Sequence, residues 1–246
     1  MTKPITSTAI MILVDDGKVA LNDPLSKFLP EFVDVQVLND EGKRVPANGP
    51  ITVQHLLTHT SGLTYGFFGN NPVDRIYNES GIFANAQGLD EFATGIAGLP
   101  LLAHPGEVWN YSVSTDILGR VVEVASGQTF DAFLNDRIIG PLGMEDTAFQ
   151  VAADKLDRFS GNYATVEGAL RLTDSPVDGQ YTRPPAWLSG GGGLTSTASD
   201  YIRFAQMLLN EGELEGVRIL SAERVRMMRT NHLPDALVPI TVGNYL

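Results

Sequence analysis

A proline stands at the fourth position, directly ahead of a run, Ile5-Thr6-Ser7-Thr8-Ala9-Ile10-Met11-Ile12-Leu13-Val14, that has almost no polar face. Proline is tolerated in the first turn of a helix, where backbone N–H groups lack partners, and is costly further in. A helix over residues 5–14 must therefore begin at or just before Met1. Its Ile5, Ala9, Ile10, Ile12, Leu13 and Val14 demand burial on most sides. Asp15-Asp16-Gly17 ends it. A chain that opens on a buried helix is expected to have lost what precedes it.

The rest of the chain is punctuated by turns and caps. Asn22-Asp23-Pro24 and Phe28-Leu29-Pro30 bracket a short helical stretch. Thr52 is placed to cap a short helix carrying Val53, Leu56 and Leu57. Residues 64–72, with Tyr65, Phe67 and Phe68 among Gly69, Asn70, Asn71 and Pro72, read as an aromatic loop. A helix on Leu89, Phe92, Ala93 and Ile96 ends near Gly98 and Pro100. Ser114 is expected to cap the next, whose Ile117, Leu118, Val121, Val122 and Ala125 share a face before Gly127. Phe130, Phe133, Leu134 and Ile138 give another, stopped by Gly140-Pro141. Residues 145–190 are loop-rich, with a hairpin over Tyr163–Leu172 turning at Glu167-Gly168. Thr197-Ala198-Ser199-Asp200 opens a helix expected to bury Tyr201, Phe204, Ala205, Leu208 and Leu209. A last helix covers roughly 222–230. No set of strong strands able to make a sheet is read.

Composition removes several function classes. The 246 residues suit one large domain or two small ones, and 43% apolar content supports a core. With 29 acidic against 17 basic residues the net charge is −12. Such a surface repels nucleic acid and anionic lipid, so neither is an expected partner. No run approaches the ~18–20 apolar residues of a spanning helix. No signal peptide is read within these residues, one upstream is left open, and the location is left unassigned with the cytoplasm slightly favoured. The absence of cysteine excludes a disulfide, a thiolate metal site and a cysteine nucleophile. No cofactor is implied, and the sequence sets no oligomeric state.

Few residues invite chemistry. In a Ser-x-x-Lys helix the hydroxyl and the amine lie one turn apart on one face, where the lysine can take the serine's proton. The chain holds no serine with a lysine three positions later. Lys3 alone reads as an ordinary surface lysine. Tyr111-Ser112-Val113 precedes the helix at Ser114, which can present the Tyr111 hydroxyl, while packing beside Trp109 explains the tyrosine equally. His55 and His59 have the i, i+4 spacing of zinc ligands, but Leu56 stands where a zinc protease needs its glutamate and no third ligand follows, so no metal site is assigned. Ser61 is in no Gly-x-Ser-x-Gly elbow. Gly190–Gly193 lacks the Lys-Ser/Thr of a phosphate loop, and serves positive φ or close backbone approach.

In order along the chain, LLTHTSGL (Leu56–Leu63), Pro105-Gly106 followed by Tyr111-Ser112, Gly140-Pro141-Leu142-Gly143-Met144, and SGGGGLTSTASD (Ser189–Asp200) resemble the β-lactamase-related serine hydrolases. That group spans class C β-lactamases, DD-peptidases and family VIII carboxylesterases. The resemblance implies an α+β fold of the β-lactamase/DD-peptidase type: an antiparallel sheet flanked by helices, plus a helical domain. Residues 1–246 would be an incomplete domain of that kind, truncated at both ends. Its nucleophile helix would start at residue 1 and its helical region would span roughly 50–210. Most of the central sheet would be absent, leaving a mostly helical piece.

By the same resemblance, Met1-Thr2-Lys3-Pro4 looks like the tail of a Ser-Met-Thr-Lys motif whose serine lies just upstream. Lys3 and Tyr111 then become the catalytic pair activating that serine, and Ser112 and Val113 substrate-binding residues. β-Lactamases carry asparagine where Val113 stands, so the esterase branch is favoured: cleavage of carboxylic esters through an acyl-enzyme. The expected substrate is a small-molecule ester, or a β-lactam-like compound under the alternative of a β-lactamase or DD-peptidase parent. A third alternative is a non-catalytic truncated homologue. With the sheet absent, the helix at 5–14 is expected to expose much of its apolar surface.

Overall fold

The computed structural model describes residues 1–240. Helix α1 (Thr2–Asp15) runs through the middle of the molecule, with Pro4 in its first turn as the proline constraint demands. Ile5, Ala9, Ile10, Met11, Ile12 and Leu13 are each 2% exposed or less. The expected exposure of this helix is therefore corrected: other helices and turns of the same chain cover it. Its principal neighbour is α6 (Ser114–Ser126), which also packs against α2 (Val53–Leu57), α5 (Leu89–Ala97) and α7 (Phe130–Leu134). Between α2 and α5 lie α3 (Pro72–Glu79) and the single turn α4 (Ile82–Asn85). A π-type turn at Asn135–Ile139 prolongs α7, and α8 (Ala198–Leu209) and α9 (Ala222–Met228) complete the set.

The strands pair only locally. Gln36–Leu38 (β1) with Arg44–Pro46 (β2), Asn162–Val166 (β3) with Ala169–Asp174 (β4), and Glu213–Leu214 (β5) with Val217–Arg218 (β6) form three antiparallel two-stranded ribbons. No larger sheet occurs among the described residues. The β3–β4 turn is the one read from the sequence, with Glu167 at φ 52° and Gly168 at φ 77°. Two left-handed residues in a row match the right-handed twist of the flanking strands.

Three local expectations need correction. Ser114 is the first residue of α6 and Val113 its N-cap, which makes no side-chain capping bond; the Ser114 N–H donates to Ser112 Oγ at 3.3 Å. The Ser114 hydroxyl is instead held by Ser61 and Ser112, at 2.7 and 2.8 Å. On α8, Thr197 caps as expected, accepting from the Asp200 N–H. The Asp200 carboxylate, however, accepts from the Asp146 N–H (2.7 Å) and the Thr147 hydroxyl (2.8 Å). That anchor turns Asp200, Phe204 and Met207 inward and leaves Leu209 68% exposed, with Ala205 exposed as well. Helix α3 starts within the stretch read as loop. Asn71 caps it by accepting from the Asp74 N–H at 2.9 Å, and Pro72 fills its first position.

The packing predicts a sharp contrast between two isoleucines. Ile10→Ala, in a wholly buried site, should cost about 2–5 kcal/mol in urea unfolding. Ile202→Ala, on the outer face of α8 at 64% exposure, should stay within about 0.5 kcal/mol. Equal effects would contradict the central place of α1.

Candidate active site

The segment Leu56–Leu63 ends α2 in a way that aims a histidine inward. Thr52 and His55 cap the helix reciprocally: the His55 N–H donates to Thr52 Oγ1, and the Thr52 N–H donates to His55 Nδ1, both at 3.2 Å. His55 is thus a capping residue. His59 follows the helix at φ 56°, a left-handed conformation that costs a non-glycine residue about 1 kcal/mol. Its carbonyl accepts from the Asn110 N–H at 2.8 Å, which brings the Tyr111 segment alongside. The Ser112 N–H donates to His59 Nδ1 at 3.3 Å. His59 and Tyr111 rings lie 4.8 Å apart.

Ser112 and Val113, expected to touch substrate, are both 0% exposed and line no wall of the cavity described below. Their place next to Tyr111 along the chain therefore does not bring them to that cavity among the described residues. The Ser112 hydroxyl joins His59 to Ser114 and, through it, to Ser61. Val113 seats the N-terminus of α6 in the core.

Lys3 and Tyr111 do meet. Lys3 projects from the first turn of α1, and its Nζ lies 4.5 Å from the Tyr111 ring centroid and 5.4 Å from that of Tyr65. It donates to the Gly191 carbonyl at 2.7 Å. A cation over an aromatic face gains about 0.5–2 kcal/mol, depending on desolvation. The ammonium therefore rests on the face of the tyrosine and the edge of the glycine run. That run gets close because it carries no side chains. A Cβ on Gly190 would sit 2.5 Å from the Thr115 carbonyl, and one on Gly191 would sit 2.5 Å from both Asp116 Oδ2 and Tyr65 Oη.

Asp116, which the sequence reading did not single out, lies in the first turn of α6 at 1% exposure. Its Oδ1 accepts from the Ser189 hydroxyl (2.5 Å) and the Gly191 N–H (2.8 Å), and its Oδ2 from Tyr65 Oη (3.2 Å). Burial raises the Asp116 pKa against the pull of these donors and of Lys3. Burial also pushes the Tyr65 phenol far above its ordinary value, with the Asp116 charge adding to it. The only early signal for Asp116 was an acidic residue in the first turn of a helix beside Tyr111.

These groups border a cavity of about 580 Å³. Its polar wall is Lys3, Tyr111, Asp116, Ser189 and the glycine run, and its apolar wall includes Tyr65, Phe67, Phe83, Phe149 and Trp187. The aromatic loop thus forms part of the cavity, with Tyr65 and Phe67 stacked at 5.1 Å. Trp187 is fixed by stacking on Phe92 at 4.1 Å. A second hollow of about 340 Å³ lies at Lys3 and His59 and is lined largely by Met11, Leu21, Leu57, Met227 and Met228. It lacks Tyr111 and Asp116, so the larger cavity is the candidate site.

The Beta-lactamase family model matches residues 1–237. Protein Rv1367c of Mycobacterium tuberculosis is 42% identical over 239 residues, covering 96% of this chain and 59% of that protein. Esterase EstB of Burkholderia gladioli is 35% identical over 225 residues, covering 82% of this chain and 54% of EstB. Among solved structures, the LovD6 mutant of simvastatin synthase (LovD) from Aspergillus terreus superposes with a TM-score of 0.77 at 29% identity. That match covers 96% of this chain and 55% of the other. The chain therefore spans a little over half the length of these relatives. The shared fold is that of β-lactamases and DD-peptidases, as the motif order implied.

Burial, reinforced by the Lys3 charge, lowers the His59 pKa from 6.5 to about 4. The unfolded chain takes up a proton near pH 6.5 that the folded chain refuses until about pH 4. Stability is then complete above that window and falls as acid is added, by about 2 kcal/mol at pH 5. His59→Asn keeps a residue that tolerates positive φ and removes the titration. Between pH 7.5 and 5.0 its urea-unfolding free energy should fall by about 2 kcal/mol less than that of the parent. Equal losses would show that His59 is not held neutral.

Proposed function

Because the chain belongs to the Beta-lactamase family, we propose that it is part of a serine hydrolase that cleaves carboxylic esters through an acyl-enzyme, with Lys3 and Tyr111 as its proton-transfer groups. The observation that carries this reading is their meeting on one cavity wall, Nζ 4.5 Å from the ring centroid, although they lie on distant segments. The nucleophile would be a serine directly preceding Met1 in the parent polypeptide. With α1, helical from Thr2, continued by one turn in the parent polypeptide, that serine would lie one turn ahead of Lys3 on the same face. Its hydroxyl oxygen would attack the ester carbonyl while its proton passes to the Lys3–Tyr111 pair. The alcohol would leave with a proton returned from that pair, and water would then release the acid by the same route.

Two features favour an ester over a β-lactam or peptide. Val113 is buried and apolar, so it offers no polar group to an amide side chain. The cavity wall is mainly aromatic, which suits a neutral organic acyl or alcohol group. The name of EstB, an esterase, points the same way.

The decisive assay uses the full product of the gene with p-nitrophenyl butyrate and, for the β-lactamase alternative, nitrocefin. Ester hydrolysis should dominate. Lys3→Ala and Tyr111→Phe should each lower kcat/KM by about 10²–10⁴-fold. Unchanged turnover in Lys3→Ala would overturn the proposal.

The alternative of a non-catalytic chain is favoured for the 246 residues taken alone by the state of their interior serines. Ser61, Ser112 and Ser114 are 1% exposed or less and bonded to one another. A fluorophosphonate probe should label none of them. Stoichiometric labelling at any one would place the nucleophile inside the chain and displace the serine ahead of Met1.

A further inference from the structure

Lys3 does not touch a carboxylate, yet a continuous line of hydrogen bonds joins it to one. Lys3 Nζ donates to the carbonyl of the Gly191–Gly192 peptide at 2.7 Å. The N–H of that same peptide, on Gly192, donates to Ser189 Oγ at 3.0 Å. Ser189 in turn donates its proton to Asp116 Oδ1 at 2.5 Å, and the Gly191 N–H reaches the same oxygen. The two middle groups, the peptide and the Ser189 hydroxyl, each accept on one side and donate on the other, so each bond polarises the next. The charge at the far end is buried, where such coupling is least screened.

The alternatives for Asp116 are weaker. It makes no ion pair with an arginine or lysine among the described residues, and its backbone lies in the first turn of a helix that needs no carboxylate there to close. What its two oxygens do is fix three separate pieces of the cavity wall: Ser189, the Gly191 peptide and the Tyr65 ring. Two of those three, the glycine run and Tyr65, are surfaces against which the Lys3 ammonium rests.

The geometry points to Asp116 as the positioning residue for Lys3, acting through Ser189 and the Gly191–Gly192 peptide. In this arrangement the aspartate touches neither Lys3 nor the reacting atoms. It sets the direction of the Gly191 carbonyl, and the carbonyl sets the direction of the amine. The inference rests on the proposal that Lys3 is a proton-transfer group, but its first test does not need turnover.

That test is the acetylation rate of Lys3 by acetic anhydride in the folded chain, read by peptide mass spectrometry as a ratio to the exposed Lys18 and Lys43. Asp116→Asn and Ser189→Ala should each raise the ratio, by roughly tenfold for the aspartate, as the held ammonium is released. Val225→Ala, a buried change in α9 outside the cavity, should leave the ratio unchanged, which separates positioning from general loosening. Should Asp116→Asn fail to fold, Ser189→Ala carries the test alone. In the full gene product, Asp116→Asn should lower p-nitrophenyl butyrate kcat by about 10–100-fold with KM within about twofold. If the product hydrolyses no ester, the proposed function falls while the labelling ratio still decides the role of Asp116. An unchanged ratio in both variants overturns the inference whatever the esterase assay returns.

Discussion

The structure depends on the contact between the first two turns of α1 and the glycine run. Thr2 Oγ1 accepts from the Leu194 N–H at 3.1 Å, Lys3 reaches the Gly191 carbonyl, and Thr6 donates to the Gly190 carbonyl at 2.8 Å. Near its other end Asp15 accepts from the Ser221 N–H and Arg224, and Asp16 from Arg137. A helix near the start of the chain is thereby stitched to segments between 121 and 209 residues later. The end pairs are exposed and contribute about 0–1 kcal/mol each. The contacts at Thr2, Lys3 and Thr6 matter more, because they satisfy polar groups that are buried or partly buried. They exist only where the backbone of residues 190 and 191 can lie against α6 without a side chain between.

That closeness explains which parts of the molecule were legible in the sequence. Features governed by near neighbours were readable: the proline-started α1, the Thr52 cap, the α5 and α6 faces, and the Glu167-Gly168 turn. Local chemistry decides them. The face of α8 was misread because it is fixed by Asp200 accepting from Asp146 and Thr147, more than fifty residues earlier. Nothing in the periodicity of 198–209 encodes that rotation. α1 was expected to lie bare for a similar reason, since its cover comes from α6, α7 and the turns, none adjacent in sequence.

The site divides along the same line. Lys3 and Tyr111 were singled out through motif order, and the fold places the Lys3 ammonium 4.5 Å from the Tyr111 ring centroid. Ser112 and Val113 lie away from the cavity because neighbours along the chain at an irregular approach to a helix point in different directions. Tyr111 faces the cavity while the next two side chains enter the core. Asp116 was passed over because its meaning comes from Ser189 and Gly191, over seventy residues away. An acidic residue in a first helical turn is ordinarily a solvated partner of the helix dipole. Here burial to 1% exposure with three donors aimed at it makes it a wall of the site.

Tyr65 ties the two walls of the cavity to one another. Its hydroxyl belongs to the Asp116 network, while its ring stacks on Phe67 and lies 5.7 Å from Tyr111. The loop that carries it is closed by a separate buried carboxylate, Asp74, which accepts from the Thr64 hydroxyl and the Asn71 amide at 2.6 Å each. A shift of that loop must therefore either carry the Tyr65 hydroxyl away from Asp116 or drag the glycine run with it. The aromatic wall of the cavity and the polar wall that holds Lys3 are coupled through Tyr65 and cannot be reshaped independently. Among the cavity-lining residues Lys3 is the one cation and Asp116 the one anion. Because both contact Tyr65, the shape of the apolar pocket and the aim of the amine are set by the same side chain.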